Sequence, residues 1–177
     1  MHSVPAAPAT ARTCRYGEPV ATGTRATALL TEHKVAFTLH PYEHDPRAAA
    51  FGEEAADALQ VDATRIFKTL IASVDGRLVC AVVPVARRLD LKALAAAVGG
   101  KRATLAEPEA ATRATGYVLG GISPLGARSR LPVVIDASVT DLETVFVSAG
   151  RRGLQVELAP ADLIRLAQAS SAPIATG

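Results

Sequence analysis

Two apolar runs joined by the dipeptide Asp75-Gly76 constrain the fold more than any other stretch of this chain. The runs cover residues 64–74 and 77–83, and both are rich in β-branched and other apolar side chains. An Asp-Gly pair favours a two-residue turn in which both central residues have positive φ, and this turn suits the twist of a β-hairpin. We therefore predict an antiparallel hairpin at this point of the chain.

Lys68 lies within the first run, where strand alternation places it on the same face as Ile66, Leu70, Ala72 and Val74. An ammonium group in an apolar site is costly unless a carboxylate, carbonyl groups or a bound ligand partner it. Two interpretations follow. Lys68 lies near the strand end and extends its amine to water, or it faces a pocket and meets an anionic or carbonyl-bearing substrate.

The rest of the chain alternates between helical and strand patterns. Helices are predicted after Thr24, over residues 52–60, after Asp90, from Pro108 to Gly116, and from Pro160. Further strands are predicted over residues 35–40, 103–105, 131–136, 144–148 and 154–158. This order predicts a single α+β domain with a mixed, curved, barrel-like sheet of about six to seven strands surrounded by helices.

The length of 177 residues is typical of one domain. We expect residues 1–22, rich in Ala, Pro, Thr and Gly, to be a disordered N-terminal extension, residues 23–170 to fold, and residues 171–177 to be a flexible tail. No apolar stretch reaches the length of a signal-peptide core or a membrane span, so we expect a soluble, cytoplasmic protein.

Charge and cysteine content exclude few functions. The net charge is +2, and basic residues occur in pairs such as Arg87-Arg88 and Arg151-Arg152. Such pairs are usually solvated, although several at one mouth would suit a polyanion. Cys14 and Cys80 have no metal or redox spacing, and the apolar run around Cys80 indicates a core residue rather than a nucleophile.

Two glycine-containing segments are candidate ligand loops. The segment over residues 120–126 allows close backbone approach to a ligand and leaves N–H groups for an oxyanion or phosphate, but it has neither P-loop nor dinucleotide spacing. The segment from Ser148 to Gly153 either lines a site or forms a turn.

His40 and His44 would need a third ligand to hold a metal, and the sequence singles out none, so we expect no metal or cofactor. The sequence contains no Gly-x-Ser-x-Gly motif, so we do not expect a serine hydrolase.

A series of short motifs also occurs in order along residues 24–168. It reads Tyr42-Glu43-His44-Asp45-Pro46, Phe51-Gly52, Phe67-Lys68-Thr69-Leu70, Leu89-Asp90-Leu91-Lys92, Thr115-Gly116-Tyr117, Gly120 to Gly126, Arg130-Leu131-Pro132 and Arg152-Gly153-Leu154. Together these motifs resemble the YbaK family of trans-editing aminoacyl-tRNA deacylases, which is related to the insertion editing domain of bacterial prolyl-tRNA synthetases. The segment before Thr24 has no counterpart in that pattern.

The resemblance implies hydrolysis of an amino acid wrongly attached to tRNA, most typically cysteine on proline tRNA. It places the family's functionally essential lysine at Lys68. Gln155 stands where the best-known members have an aspartate, which bears on the preference for the substrate's α-amino group. Positions that line the family's substrate site are matched by Tyr42, Phe51, Thr69, Gly120, Ser148 and Gly150.

We accordingly assign catalytic roles to Lys68, Gly120 and Gly121. We assign substrate-binding roles to Tyr42, Phe51, Thr69, Ile122, Ser123, Ser148, Gly150 and Gln155. In the expected mechanism the substrate's own thiol closes on the ester carbonyl, N–H groups around Gly120 and Gly121 face the carbonyl oxygen, and Lys68 contacts the tRNA end or adds electrostatic support. The expected partners are the acceptor end of mischarged tRNA and prolyl-tRNA synthetase, and we expect a monomer or weak homodimer.

Three alternatives stay open. The same fold could release alanine from Ala-tRNA(Pro) through an activated water. It could also be a non-catalytic module that binds an aminoacyl or nucleotide end. Least favoured is a Schiff-base enzyme with Lys68 as the nucleophile, because no acid or base partner is apparent beside it.

Overall fold

The computed structural model describes residues 12–14 and 23–177. The helices are α1 Arg25–Glu32, α2 Phe51–Leu59, α3 Leu91–Ala97, α4 Pro108–Thr115 and α5 Pro160–Ala167, with a 3₁₀ helix at Ala137–Asp141. The strands are β1 Arg12–Cys14, β2 Phe37–Pro41, β3 Phe67–Val74, β4 Arg77–Pro84, β5 Arg88–Leu89, β6 Ala103–Leu105, β7 Val133–Asp136, β8 Val145–Arg151, β9 Leu154–Leu158, β10 Ser170–Ala172 and β11 Ala175–Thr176. No helix within these residues is long and apolar enough to cross a membrane.

The predicted hairpin is confirmed as β3 and β4, which pair antiparallel from Phe67↔Pro84 to Val74↔Arg77 without a register shift. Asp75 and Gly76 between them have φ of 49° and 83°, as the turn type requires. Successive strand residues point to opposite faces, and both faces of the hairpin pack against apolar clusters. Phe67 and Ile71 belong to the larger core cluster, and the opposite face of the hairpin contributes to a second one.

The helix boundaries follow the predicted signals. Thr24 caps α1 through a capping box with Thr27, and the Asp90 side chain accepts from the Ala93 N–H at the start of α3. Pro108 begins α4, which ends at Gly116 with φ of 74°.

The predicted α+β class is confirmed, but the sheet differs from the barrel-like expectation. The described strands form three sheets with the orders β1-β2-β9-β8, β10-β7-β4-β3-β6 and β11-β5, and none is closed. The two larger sheets meet only at an isolated parallel bridge between Ile66 and Phe146, so β3 and β8 do not pair along their lengths. The additional strands, such as β5 and β11, have two or three residues, too few for an alternating pattern to reveal.

The two chain ends also bear on the predicted domain limits. Most of residues 1–22, predicted to be a disordered extension, lie outside the described residues, and Arg12–Cys14 pair with β2. Residues 171–177, predicted to be a flexible tail, are built into the fold. There β10 pairs with β7 and β11 with β5, and Ile174 between them is fully buried.

Candidate active site

A cavity of about 500 Å³ opens where β3 and β8 diverge beyond the Ile66–Phe146 bridge. Five segments line it: β3, the start of α2, the end of β6 with the start of α4, the loop after α4, and the β8–β9 pair. Predicted site residues among its lining are Phe51, Lys68, Thr69, Gly120, Ile122, Ser148 and Gln155. The structure thus brings together seven predicted site residues from four separate parts of the sequence.

One side of the cavity is an open strand edge. Along the edge of β3 away from β4, β6 pairs only with Ala72–Val74 and β8 meets the chain at Ile66, which leaves residues 68–71 without a strand partner there. The Ile71 carbonyl accepts from Ala106 N–H on that edge. Because backbone groups of alternate strand residues point to the same edge, the N–H and C=O of Thr69 also point to the open edge. The cavity therefore contains backbone donors and acceptors as well as side chains.

Unsatisfied polar groups also converge on this cavity. Within residues 23–177, Thr69 Oγ1 and Gln155 Oε1 are the two buried side-chain polar atoms without a hydrogen-bond partner, and both residues line the cavity. Lys68 is half-buried, lines the same cavity, and makes no ion pair or hydrogen bond with any described residue. Buried polar atoms are nearly always paired, so this cluster is organised to meet an external group.

Phe51 lines the cavity and packs between Gly120 and the Arg152 guanidinium. We call Phe51 and these two neighbours the Phe51 lip. Gly120 has φ of 80°, and a Cβ added to it would lie 2.7 Å from the Phe51 ring. The Arg152 guanidinium lies over the same ring at 5.2 Å from its centroid, and Arg152 Nε donates to the Leu119 carbonyl at 2.7 Å. Glycine is therefore required at position 120 both by backbone conformation and by the space that the ring occupies.

The β8–β9 pair positions Ser148 beside Gln155, since the two residues are direct partners in the register. A register shift follows between Ser148 and Arg151, and within it Ser148 Oγ accepts from the Gly150 N–H at 3.2 Å. On the other side of Gln155 lies His40 of β2.

Four predicted site residues do not line this cavity. The Gly121 N–H donates to the Val118 carbonyl at 3.0 Å, and the residue packs against the Arg151 backbone. Ser123 lines a different cavity, of about 480 Å³. Gly150 packs against Tyr117, where an added Cβ would lie 2.8 Å from the ring.

Tyr42 is the fourth of these residues, and it lies next to the cavity, with its hydroxyl beside Gln155. Burial raises the pKa of the Tyr42 hydroxyl, although the Gly153 backbone and the Gln155 side chain act in the opposite direction. The phenol is therefore neutral at physiological pH and acts as a hydrogen-bonding group.

None of His40, His44 and the buried Cys80 lines this cavity. His40 Nε2 lies 2.8 Å from a Glu157 carboxylate oxygen, and His44 Nδ1 lies 2.9 Å from Glu54. Among the described residues no group of three His, Cys, Asp or Glu side chains could hold a metal ion. Burial raises the pKa of the Cys80 thiol to about 12, so this thiol is poorly suited to nucleophilic attack.

Sequence reasoning missed three residues at the cavity mouth. Leu105 and Leu119 line the cavity although both are exposed, and Arg152 belongs to the Phe51 lip. The segments that carry them meet only in the folded chain. The sequence signals that include one of the three are the basic pair Arg151-Arg152 and the motif Arg152-Gly153-Leu154.

Comparisons with known proteins cover the part of the chain that forms the cavity. The model of the aminoacyl-tRNA editing domain matches residues 45–166, which contain the whole cavity lining. The chain belongs to the aminoacyl-tRNA editing domain family. The resemblance to YbaK-type deacylases that the motifs indicated is thereby confirmed.

Relatives extend over most of the chain. An Enterococcus faecalis protein named as the Cys-tRNA(Pro)/Cys-tRNA(Cys) deacylase EbsC is 34% identical over 86% of this chain and 93% of its own length. The Escherichia coli K12 multifunctional Ser/Thr-tRNA deacylase ProXp-y is 31% identical over 81% of this chain and 87% of its own length. A solved structure described as a trans-editing enzyme for prolyl-tRNA synthetase superposes with a TM-score of 0.74 at 23% identity, over 89% of this chain and all of that one. The structural likeness establishes the fold of this editing domain.

Proposed function

We propose that this editing domain hydrolyses Cys-tRNA(Pro), acting on the aminoacyl ester in the cavity between β3 and β8. The observation that carries the proposal is the convergence of Lys68, Thr69 Oγ1 and Gln155 Oε1, all without protein partners, on one cavity. An aminoacyl ester brings an ammonium group, a carbonyl and a ribose hydroxyl, which complement these donors and acceptors.

The substrate thiol is the nucleophile in this proposal. It loses its proton and attacks the ester carbonyl, and the resulting tetrahedral intermediate expels the terminal ribose oxygen, which takes up a proton. The product is a cysteine thiolactone, and water then opens it to free cysteine. The protein holds the thiol close to the carbonyl and stabilises the developing oxyanion, so it needs no nucleophile of its own.

The residues at the cavity divide these tasks. Lys68 supplies positive charge beside the reacting carbonyl or the terminal ribose. The Gly120 N–H, which donates to no described residue, is the backbone donor for the oxyanion. The Gly121 N–H is already used in a turn, so Gly120 carries the role first assigned to both. Thr69 and Gln155 hold the substrate's α-amino group through their unpartnered oxygens.

Chemical selection by the thiol is sharper than selection by size. One methylene in a pocket discriminates by about 1–3 kcal/mol, whereas a substrate without a thiol cannot form the thiolactone. Proline is excluded on the same ground. Choice of tRNA then depends on a partner, for which prolyl-tRNA synthetase is the candidate.

A second candidate is a deacylase of other small amino acids that uses an activated water. Gln155 favours it, because an uncharged amide is compatible with a hydroxyl or methyl side chain beside it. The Escherichia coli relative is named as a Ser/Thr-tRNA deacylase, and alanine on proline tRNA belongs to the same class.

The test is the release of radiolabelled amino acid from Cys-, Ala-, Ser- and Pro-tRNA(Pro) by the same enzyme preparation. We expect release from Cys-tRNA(Pro) alone, with thiolactone trapped as an intermediate at low water activity. Release from Ala- or Ser-tRNA(Pro) at a comparable rate would favour water attack instead. No release from any substrate would leave a binding module as the function.

A further inference from the structure

Two of the three large apolar side chains exposed among the described residues line the cavity, and the third is adjacent to one of them in the chain. Leu105, Val118 and Leu119 have 58%, 55% and 37% of their surface exposed, and they are the exposed large hydrophobic residues among those described. Leu105 and Leu119 line the cavity, and Val118 precedes Leu119 in the turn that the Gly121 N–H closes. Single exposed apolar residues are common, but two that line one cavity, with a third next to them in the chain, mark a contact surface. We call these three residues the apolar rim.

A guanidinium group borders the apolar rim. Arg152 is held by its Nε bond to the Leu119 carbonyl and by the Phe51 ring, yet its side chain is exposed. Its two terminal nitrogens have no acceptor among residues 23–177. An arginine fixed by its inner nitrogen, with its outer N–H groups free, is suited to bind a phosphate in two-pronged fashion.

We propose that the apolar rim and Arg152 form a subsite for the 3′-terminal nucleotide of tRNA, with the base on the rim and its 5′-phosphate on Arg152. This proposal rests on the proposed function, because it places the ester carbonyl beside Lys68 inside the cavity. The ribose that carries the ester then lies at the mouth, with its base attached at C1′ and its phosphate attached through the C5′ oxygen, and both extend outward from the cavity. An apolar surface and a cation at the same mouth match these two parts of one nucleotide.

The two features together favour a nucleotide over the other possible occupants. A second copy of this chain or a synthetase surface would use the apolar rim without needing a free guanidinium beside it. The local charge also favours an anion, since Arg151, Arg152 and Lys68 together outweigh Glu53, the acidic residue in the described cavity lining.

The test is a binding comparison that does not use catalysis. Affinities are measured for uncharged tRNA(Pro) with its complete CCA end and for the same tRNA lacking the terminal nucleotide. We expect the wild type to bind the truncated tRNA about tenfold more weakly. The double variant Leu105→Ser/Leu119→Ser and the variant Arg152→Ala should each bind both tRNAs with nearly equal affinity.

Arg165→Ala serves as the matched control, because Arg165 is also exposed and pairs with Asp162 on α5 away from the cavity lining. It should keep the tenfold difference. Equal wild-type affinities for the two tRNAs, including no binding of either, would overturn the subsite. So would sedimentation showing that the rim variants convert a wild-type dimer to monomers while the tenfold difference persists.

Catalysis and this binding difference can fail independently. A wild type that releases no amino acid but distinguishes the two tRNAs would retain the subsite and refute the proposed function. A wild type that releases cysteine but does not distinguish them would do the reverse.

Discussion

Asp136 and Gln155 are both buried polar residues on core strands, but their surroundings are opposite. The Asp136 carboxylate accepts from Ser138 N–H and Oγ–H and from the N–H groups of Ile174 and Ala175, at 2.6–3.2 Å. Gln155 Oε1 accepts from none of the described residues, although the Gln155 side chain lies beside the Tyr42 hydroxyl. Asp136 is thus satisfied by the protein itself, and it ties the C-terminal strands to β7.

Buried polar groups that are bonded within the protein and those that are not have different effects on stability. A buried polar group that is fully bonded lowers the free energy of the native state, whereas an unpartnered one raises it by about 1–3 kcal/mol. The unpartnered buried side-chain groups of the described chain belong to residues that line one cavity, so the proposed function assigns their cost to ligand binding. Variants of the two classes should therefore respond oppositely in stability and in activity.

The largest effect is expected for Lys68→Ala. Loss of the only cation among the described residues that line the cavity should lower the rate of deacylation by about 100- to 1000-fold, as for removal of one electrostatic group at a reacting carbonyl. The free energy of unfolding, measured with urea, should change by less than about 0.5 kcal/mol, because Lys68 has no protein partner to lose.

Lys92→Ala is the matched control for this variant, since Lys92 is exposed on α3 and does not line the cavity. It should leave both quantities unchanged. Undiminished deacylation by Lys68→Ala would remove Lys68 from the mechanism.

The features that the sequence predicts correctly are local, whereas those it does not predict depend on contacts between remote segments. The hairpin and the position of Lys68 follow from alternation and an Asp-Gly turn, which are local signals. Gly121 was assigned a catalytic N–H because the sequence does not reveal that a turn to Val118 uses it. Leu105 reaches the cavity only because β6 pairs with the far half of β3, and the absence of barrel closure likewise depends on how two remote strands diverge.

A loss of stability without loss of site chemistry is expected for Asp136→Ala. Four donors lose their acceptor, and the free energy of unfolding should fall by about 2–4 kcal/mol. Deacylation per folded molecule, measured well below the melting temperature, should stay close to that of the wild type. Asp141→Ala, a change at an exposed aspartate in the adjacent 3₁₀ helix, should alter neither. If Asp136→Ala lowered the rate as much as Lys68→Ala does, Asp136 would not have the purely structural role assigned to it.

Asp136 also predicts a pH dependence of stability. Although burial alone would raise its pKa, the bonds from Ser138, Ala175 and Ile174 hold the pKa of Asp136 below its ordinary value. A lowered native pKa stabilises the fold above the unfolded-state pKa of about 4, and this contribution is lost as the pH falls through the native pKa. Urea midpoints between pH 7 and pH 3 should fall more steeply for the wild type than for Asp136→Ala. Parallel pH profiles would show that Asp136 contributes no linked stability.

Gly120→Ala and Gly76→Ala compare two glycines with nearly equal positive φ, 80° and 83°. Each should lose about 1–2 kcal/mol of stability from backbone strain. At Gly120 the new methyl also meets the Phe51 ring, whereas nothing lies within 4 Å at Gly76. Only Gly120→Ala should therefore lower deacylation, by about tenfold, and equal rates for both variants would show that the Phe51 lip has no part in the site.

The smallest effect is the most direct test of the comparison, because it replaces the same side chain in both environments. Thr115 is buried, and its hydroxyl donates to the Ala111 carbonyl at 2.8 Å and accepts from the Tyr117 N–H, whereas Thr69 Oγ1 is unpartnered. Thr115→Val should therefore lower the free energy of unfolding by about 1–2 kcal/mol, and Thr69→Val should leave it unchanged or raise it by up to about 1 kcal/mol. Only Thr69→Val should slow deacylation. Equal destabilisation by the two variants would mean that the Thr69 hydroxyl is bonded within the native protein, and the cavity would then lose one of the unpartnered groups on which its assignment as the site depends.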